Sequence, residues 1–155
     1  VLSARRPFDV KVNEKRFRKF KETVREEIDH PMLERLVPIG TVLRGVYAEI
    51  HDGNITFGRQ PGSYPLLVGI PYKVDLDRSY DVYVTEWGFR SVTGVTYPFE
   101  INRMPMSSLA SLPGIGKKRA AAIAAARPFG SLEDLGKVVE DPRVVEGLRG
   151  IVTFN

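Results

Sequence analysis

The chain has 155 residues, 43% of them apolar, and a formal net charge of +4, which is enough for a core in one or a few small modules and too weakly basic for a protein that coats long nucleic acid. It has no cysteine, which excludes disulfides, thiolate-held metals and thiol nucleophiles. No apolar run approaches the roughly 18 residues of a membrane span and nothing at the start resembles a signal peptide, so the cytoplasm is the expected compartment.

Charge divides the chain into three zones, with ten basic and seven acidic residues over 1–39, six and seven over 40–106, and seven and five over 107–155. In the first zone, residues 13–29 have helical spacing, with Asn13 as N-cap, Phe17, Phe20, Val24 and Ile28 as one apolar stripe, and His30-Pro31 as the expected end. Lys15, Arg16, Arg18, Lys19 and Lys21 come early and Glu26, Glu27 and Asp29 late, which opposes the helix dipole at both ends. Two readings of that layout stand: a solvated face stitched by pairs such as Arg18 with Glu22, and a second basic surface for phosphates.

Residues 40–103 change to strand character. Thr41–His51, Ile55–Phe57, Leu66–Ile70, Tyr80–Thr85 and Arg90–Thr96 read as five short strands, punctuated by Asp52-Gly53-Asn54, Pro61-Gly62, Pro71 and Trp87-Gly88. Five strands in about sixty residues without helical spacing fit a small closed barrel. Arg44, Arg59, Arg90, Tyr64, Tyr72 and Trp87 offer a stacking and phosphate-binding face, but aromatics in so small a barrel are expected mostly in its core.

The third zone holds the most specific pattern, Leu109-Ala-Ser-Leu-Pro-Gly-Ile-Gly-Lys-Lys-Arg119, followed by the alanine-rich run to Ala126. Pro113 halts one short helix, Gly114 and Gly116 permit a tight bend with Ile115 turned inward, and Lys117, Lys118 and Arg119 open a second helix. A helix N-terminus favours an anion, and three cations there oppose the dipole and one another. A backbone phosphate relieves both penalties.

These residues resemble the helix-hairpin-helix motif of DNA- and RNA-handling proteins, in which hairpin amides hold a phosphate without reading sequence. Pro128-Phe-Gly-Ser-Leu-Glu-Asp-Leu135 and Val139–Leu148 are similar to the second half of a paired unit. There Asp141-Pro-Arg-Val144 replaces Gly-Ile-Gly with Glu140 beside it, so that hairpin is expected to pack and not to bind. The strand spacing, with Gly58-Arg59-Gln60 after the second strand, resembles TRAM-type oligonucleotide-binding barrels. Arg25–Leu43, Thr56–Pro71 and the hairpin together look like the C-terminal part of a mainly archaeal radical-SAM family that ends in helix-hairpin-helix. That family holds, on a Cys-x-x-x-Cys-x-x-Cys motif, a [4Fe-4S] cluster that cleaves S-adenosylmethionine. With no cysteine here, the resemblance implies an accessory region without cofactor or catalytic residue, and Val1 in place of Met is expected of a piece of a longer protein.

Other chemistry has weak support. His30 and His51 lack metal-ligand spacing, and His30 is expected in a turn. Asp75, Asp77 and Asp81 lack the calcium-loop glycine and terminal Glu, Ser63 and Ser91 lack nucleophile context, and Gly58–Gly62 lacks a phosphate-loop lysine. The expectation is an α+β chain: an N-terminal helical segment (1–39), a five-stranded OB/TRAM-like barrel (40–105) and a helix-hairpin-helix unit (106–155). Gly114, Ile115, Gly116, Lys117, Lys118 and Arg119 are its phosphate site, extended by Arg59. The expected partners are nucleic acid, RNA such as tRNA before DNA, and a catalytic domain of the same parent protein. A DNA-directed repair module and a protein-interaction scaffold are the alternatives.

Overall fold

The computed structural model describes residues 13–62 and 66–155. Expectations for Ser63, Tyr64 and the first twelve residues lie outside them. In chain order the elements are α1 (Glu14–Val24), a π-helical turn (Arg25–Asp29), α2 (His30–Leu36), β1 (Val42–Asp52), β2 (Ile55–Arg59), β3 (Leu67–Ile70), β4 (Ser79–Trp87) and β5 (Ser91–Tyr97). There follow β6 (Phe99–Glu100), α3 (Met106–Leu109), α4 (Lys117–Ala126), α5 (Leu132–Val139), α6 (Pro142–Leu148) and β7 (Val152–Thr153).

All five expected strands form, and they close into a barrel in the order β1-β2-β3-β5-β4, with β3 and β5 parallel and the other pairs antiparallel. This is an α+β chain whose barrel is consistent with the OB class. β1 serves two neighbours, β4 through Val42–Tyr47 and β2 through Tyr47–Asp52. It bends between them at an irregularity around Gly45, whose φ is +64°, and at a bulge near Ala48. Leu43, Val46, Val68, Ile70, Val82, Val84, Val92 and Val95 fill the interior. Gly58 and Gly94 let strands approach closely, since a Cβ would stand 2.3 Å from the Tyr47 carbonyl oxygen at the first and 2.4 Å from that of Tyr83 at the second.

A polar web closes one end of the barrel. The buried Thr56 hydroxyl donates to the Tyr72 carbonyl (2.8 Å) and accepts from the Val74 amide (3.1 Å), while the Tyr72 hydroxyl accepts from the Thr96 amide (2.8 Å). Tyr72 is core, as expected of the barrel aromatics, and meets Phe99 edge-on at 6.4 Å. Phe99 in turn belongs to a second sheet, where β6 pairs in parallel with β7. Asn102 secures that junction, donating to the carbonyls of Phe129 (2.9 Å) and Phe154 (3.1 Å) and accepting from the Phe129 amide (2.9 Å). Barrel and helices α3–α6 thereby share one continuous core.

The N-terminal helix differs from expectation at its end. Asn13 caps it, accepting from the Arg16 amide (3.0 Å), but His30-Pro31 does not stop it. The chain widens into one π turn, with the His30 amide bonded to the Arg25 carbonyl, and Pro31 then sits in the first turn of α2, where a missing N–H costs little. His30 is therefore helical, not a turn residue. Arg18 and Glu22 form no ion pair among the described residues; Lys21 lies over the Phe17 ring at 4.9 Å instead. No described helix is long and apolar enough to cross a membrane.

Gly94→Ala should lower stability by about 1–3 kcal/mol through overpacking. Gly147→Ala, at an exposed helical site with open space around it, should leave stability equal or raise it by about 0.5–1 kcal/mol; urea unfolding of both variants checks the pair.

Candidate nucleic-acid interface

Helices α3 and α4 are joined by a tight bend over residues 110–116. Leu109, Leu112, Ile115, Ala120 and Ile123 are buried and set the two helices against each other and against α5. Ile115 is inside, as expected, and its amide donates to the Leu112 carbonyl (3.0 Å). Gly114 takes φ +74°, and its backbone lies so near α6 that a Cβ would meet Val144 Cγ2 at 2.8 Å. Gly116, in extended conformation, is the N-cap of α4 and has open space around it.

The bend faces solvent. Gly114, Gly116, Lys117 and Lys118 are exposed. Among the described residues no acceptor engages the amides of Gly114, Gly116, Lys117, Lys118 or Arg119, and neither lysine pairs with a carboxylate. Five donors and two cations are thus grouped at one helix start without protein partners.

Arg119 is the exception. Its guanidinium donates to the Gly114 carbonyl (2.8 Å) and to the Asp141 carboxylate (3.0 Å), so it braces the bend from behind. Asp141 is the residue that sequence reasoning undervalued. It caps α6 by accepting from the Arg143 and Val144 amides (3.1 and 3.3 Å) while it binds Arg119, so the second hairpin's amides are filled by its own acid. The signal for it was the Asp-Pro start of a helix. The Val144 amide, then the Arg119 side chain and the Arg143 amide, hold the Asp141 carboxyl below its ordinary value, against partial burial that acts the other way. Arg127, the fourth basic residue of the zone, is turned away, with Nε and Nη2 buried and unpartnered and burial lowering its pKa.

Each of the barrel arginines meets a carboxylate. Arg59 pairs with Glu49, Arg44 with Asp81, and Arg90 Nε lies 3.2 Å from Asp29. Asp81 also accepts from the Gly45 amide (3.0 Å) and Asp77 from the Tyr47 hydroxyl (3.0 Å), so these aspartates brace strands; no group of three metal-ligating side chains occurs among the described residues. Trp87 is half-buried and donates from Nε1 to the Val37 carbonyl (2.7 Å). The barrel meets the bend through a cleft of about 440 Å³, lined by Thr85 and Glu86 of β4 and residues 110–116.

No protein-family model matches the chain. Over 91 residues, 56% of its length, it is 53% identical to an uncharacterized protein of Methanocaldococcus jannaschii. Over 127 residues, 81% of its length, it is 35% identical to an uncharacterized protein of Archaeoglobus fulgidus. The matches cover 17% and 23% of those two proteins, so the chain spans about a fifth of the relatives' length.

A pH series should expose the Asp141 brace. Because the folded pKa lies below the unfolded carboxyl value of about 3.9, the charge stabilises the fold fully above that pH, and the contribution is lost as pH falls through the folded pKa. Asp141→Asn, which keeps a capping oxygen, should therefore be less stable than wild type at neutral pH, with the gap in urea midpoint closing only below about pH 4.

Proposed function

We propose that this chain binds nucleic acid by its phosphate backbone at the Gly114–Lys118 bend, acting as a helix-hairpin-helix unit on a TRAM-like barrel. In this reading it presents RNA, tRNA before DNA, to a catalytic domain of radical-SAM type in a longer cytoplasmic protein. The observation that carries the reading is the set of unpartnered amides at Gly114 and Gly116–Arg119 beside two free lysines. Oxygens of one phosphate can accept from several of these N–H groups while Lys117 and Lys118 supply charge, and nothing in the contact senses a base. Arg119 acts as a positioning residue, fixing the Gly114 carbonyl through its guanidinium. The Glu86 carboxylate on the barrel side of the cleft repels phosphate and steers the strand toward the lysines.

The chain's own residues supply no catalysis in this reading. A cluster of the radical-SAM kind finds no cysteine ligand here. A second reading, an interaction surface, has its own support in the N-terminal helix. No residue of α1 is buried, and Phe17, Phe20, Ile28, Met32 and Leu36 stay exposed along α1, the π turn and α2. That stripe suits a neighbouring domain of the same longer protein and does not compete with the bend.

Lys117→Glu with Lys118→Glu should weaken binding to folded tRNA by at least about tenfold near 0.1 M salt, and should flatten a wild-type log–log salt slope of about −2 to −3. Equal affinity in fluorescence titrations of wild type and variant removes the site. Glu86→Gln should bind more tightly than wild type in the same titration. Competition with duplex DNA decides between the RNA and DNA versions.

A further inference from the structure

A second cavity, of about 270 Å³, lies between the N-terminal helix and the β4–β5 loop. Glu26 and His30 line it from the helix, Trp87 from the end of β4, and Gly88 and Phe89 from the loop. Its volume is near the small end of ligand pockets, about 300–1,000 Å³, which suits one flat ring system.

Three features mark it as built. Phe89 is 53% exposed and belongs to no core cluster, a large ring in a turn that has no packing use for it. Trp87 is fixed beside it by its bond to the Val37 carbonyl, and His30 stands edge-on to Trp87 at 6.2 Å. The helix wall includes Glu26 of the π turn, a rare distortion found often at functional sites. The two walls are also fastened together. His30 Nδ1 lies 3.3 Å from the Gly88 carbonyl oxygen and Arg90 Nε lies 3.2 Å from Asp29 across the gap, while Glu34, one turn along α2, lies 3.2 Å from His30 Nε2.

Its place is informative too. The β4–β5 loop is one of the two loops through which OB-class barrels meet oligonucleotides. Along β4, Glu86 lines the cleft beneath the bend and the next residue, Trp87, lines this cavity.

We infer that the cavity takes one unpaired nucleobase of an RNA strand, its face against Phe89 and its edge toward the Glu26 carboxylate. A carboxylate accepts from amino hydrogens, so adenine, cytosine and guanine are preferred over uracil, whose pairing edge carries a single imino hydrogen. The inference rests on the nucleic-acid reading above but on different residues. It turns a contact blind to strandedness into a preference for loops and single strands, because a base within a duplex cannot leave its stack without cost.

Trp87 is the chain's only tryptophan, so a base in the cavity reports itself by quenching its emission. Short adenine oligoribonucleotides should quench and bind more tightly than uracil ones. Phe89→Ala should weaken adenine-oligomer binding about 5- to 100-fold and abolish the preference for single strand over duplex, Phe89→Tyr should restore both, and Glu26→Gln should erase the adenine-over-uracil difference. Wild-type affinity and strand preference in Phe89→Ala, or binding without quenching, overturns the inference. If that happens while Lys117→Glu with Lys118→Glu abolishes binding, the bend stands and the cavity falls. The reverse pattern keeps the cavity and removes the bend, and a wild type that binds no oligonucleotide removes both.

Discussion

The contact on which the helical half depends is the approach of the Gly114 backbone to Val144. Positive φ and the absence of a Cβ are both required there, since a side chain at that position would strike α6. Once the bend is pressed onto α6, its carbonyl side faces protein, where Arg119 takes the Gly114 oxygen and Asp141 takes Arg119. Among the described residues, the amides of Gly114 and Gly116–Arg119 are left without an acceptor. Polarity of the bend is thus fixed by packing on one face, not by any ligand on the other.

Electrostatics separate the bracing arginines from the lysines of the bend. Arg44, Arg59, Arg90 and Arg119 each meet a carboxylate; the Arg59 pair spans the β1–β2 hairpin, and the other three tie elements distant in sequence. Lys117 and Lys118, flexible and strongly hydrated, stay in solvent at the helix start. Around the bend, Arg119 is kept for internal bracing while Lys117 and Lys118 are offered to whatever approaches. Most of these arginine pairs are exposed, so their value lies in fixing position more than in stability.

Much of the barrel was legible because strand alternation and turn residues are local signals. Asp52-Gly53-Asn54 sits at the β1–β2 turn, and Leu66–Ile70 gave β3 to within a residue. The bend was legible for a similar reason, since Pro-Gly-Ile-Gly leaves the backbone few choices. What sequence could not supply were the long-range partners. Nothing near Arg90 in sequence names Asp29 as its partner, and nothing near Arg119 names Asp141. The helix end was misread because Pro31 is a stop only against regular α-helical spacing, and a single π turn upstream removes the clash. The aromatic cavity escaped notice because its walls are about sixty residues apart in the chain.

The short parallel ladder between β6 and β7 has a mechanical meaning. It brings residues 152–153 back beside residues 99–100, where the chain leaves the barrel, with Asn102 clamping both arms. The intervening helices form a loop sealed at its neck, so they move with the barrel as one lever and do not swing on a tether. A molecule touching both parts would meet a gauge of set length, and would be sorted by its own stiffness and curvature.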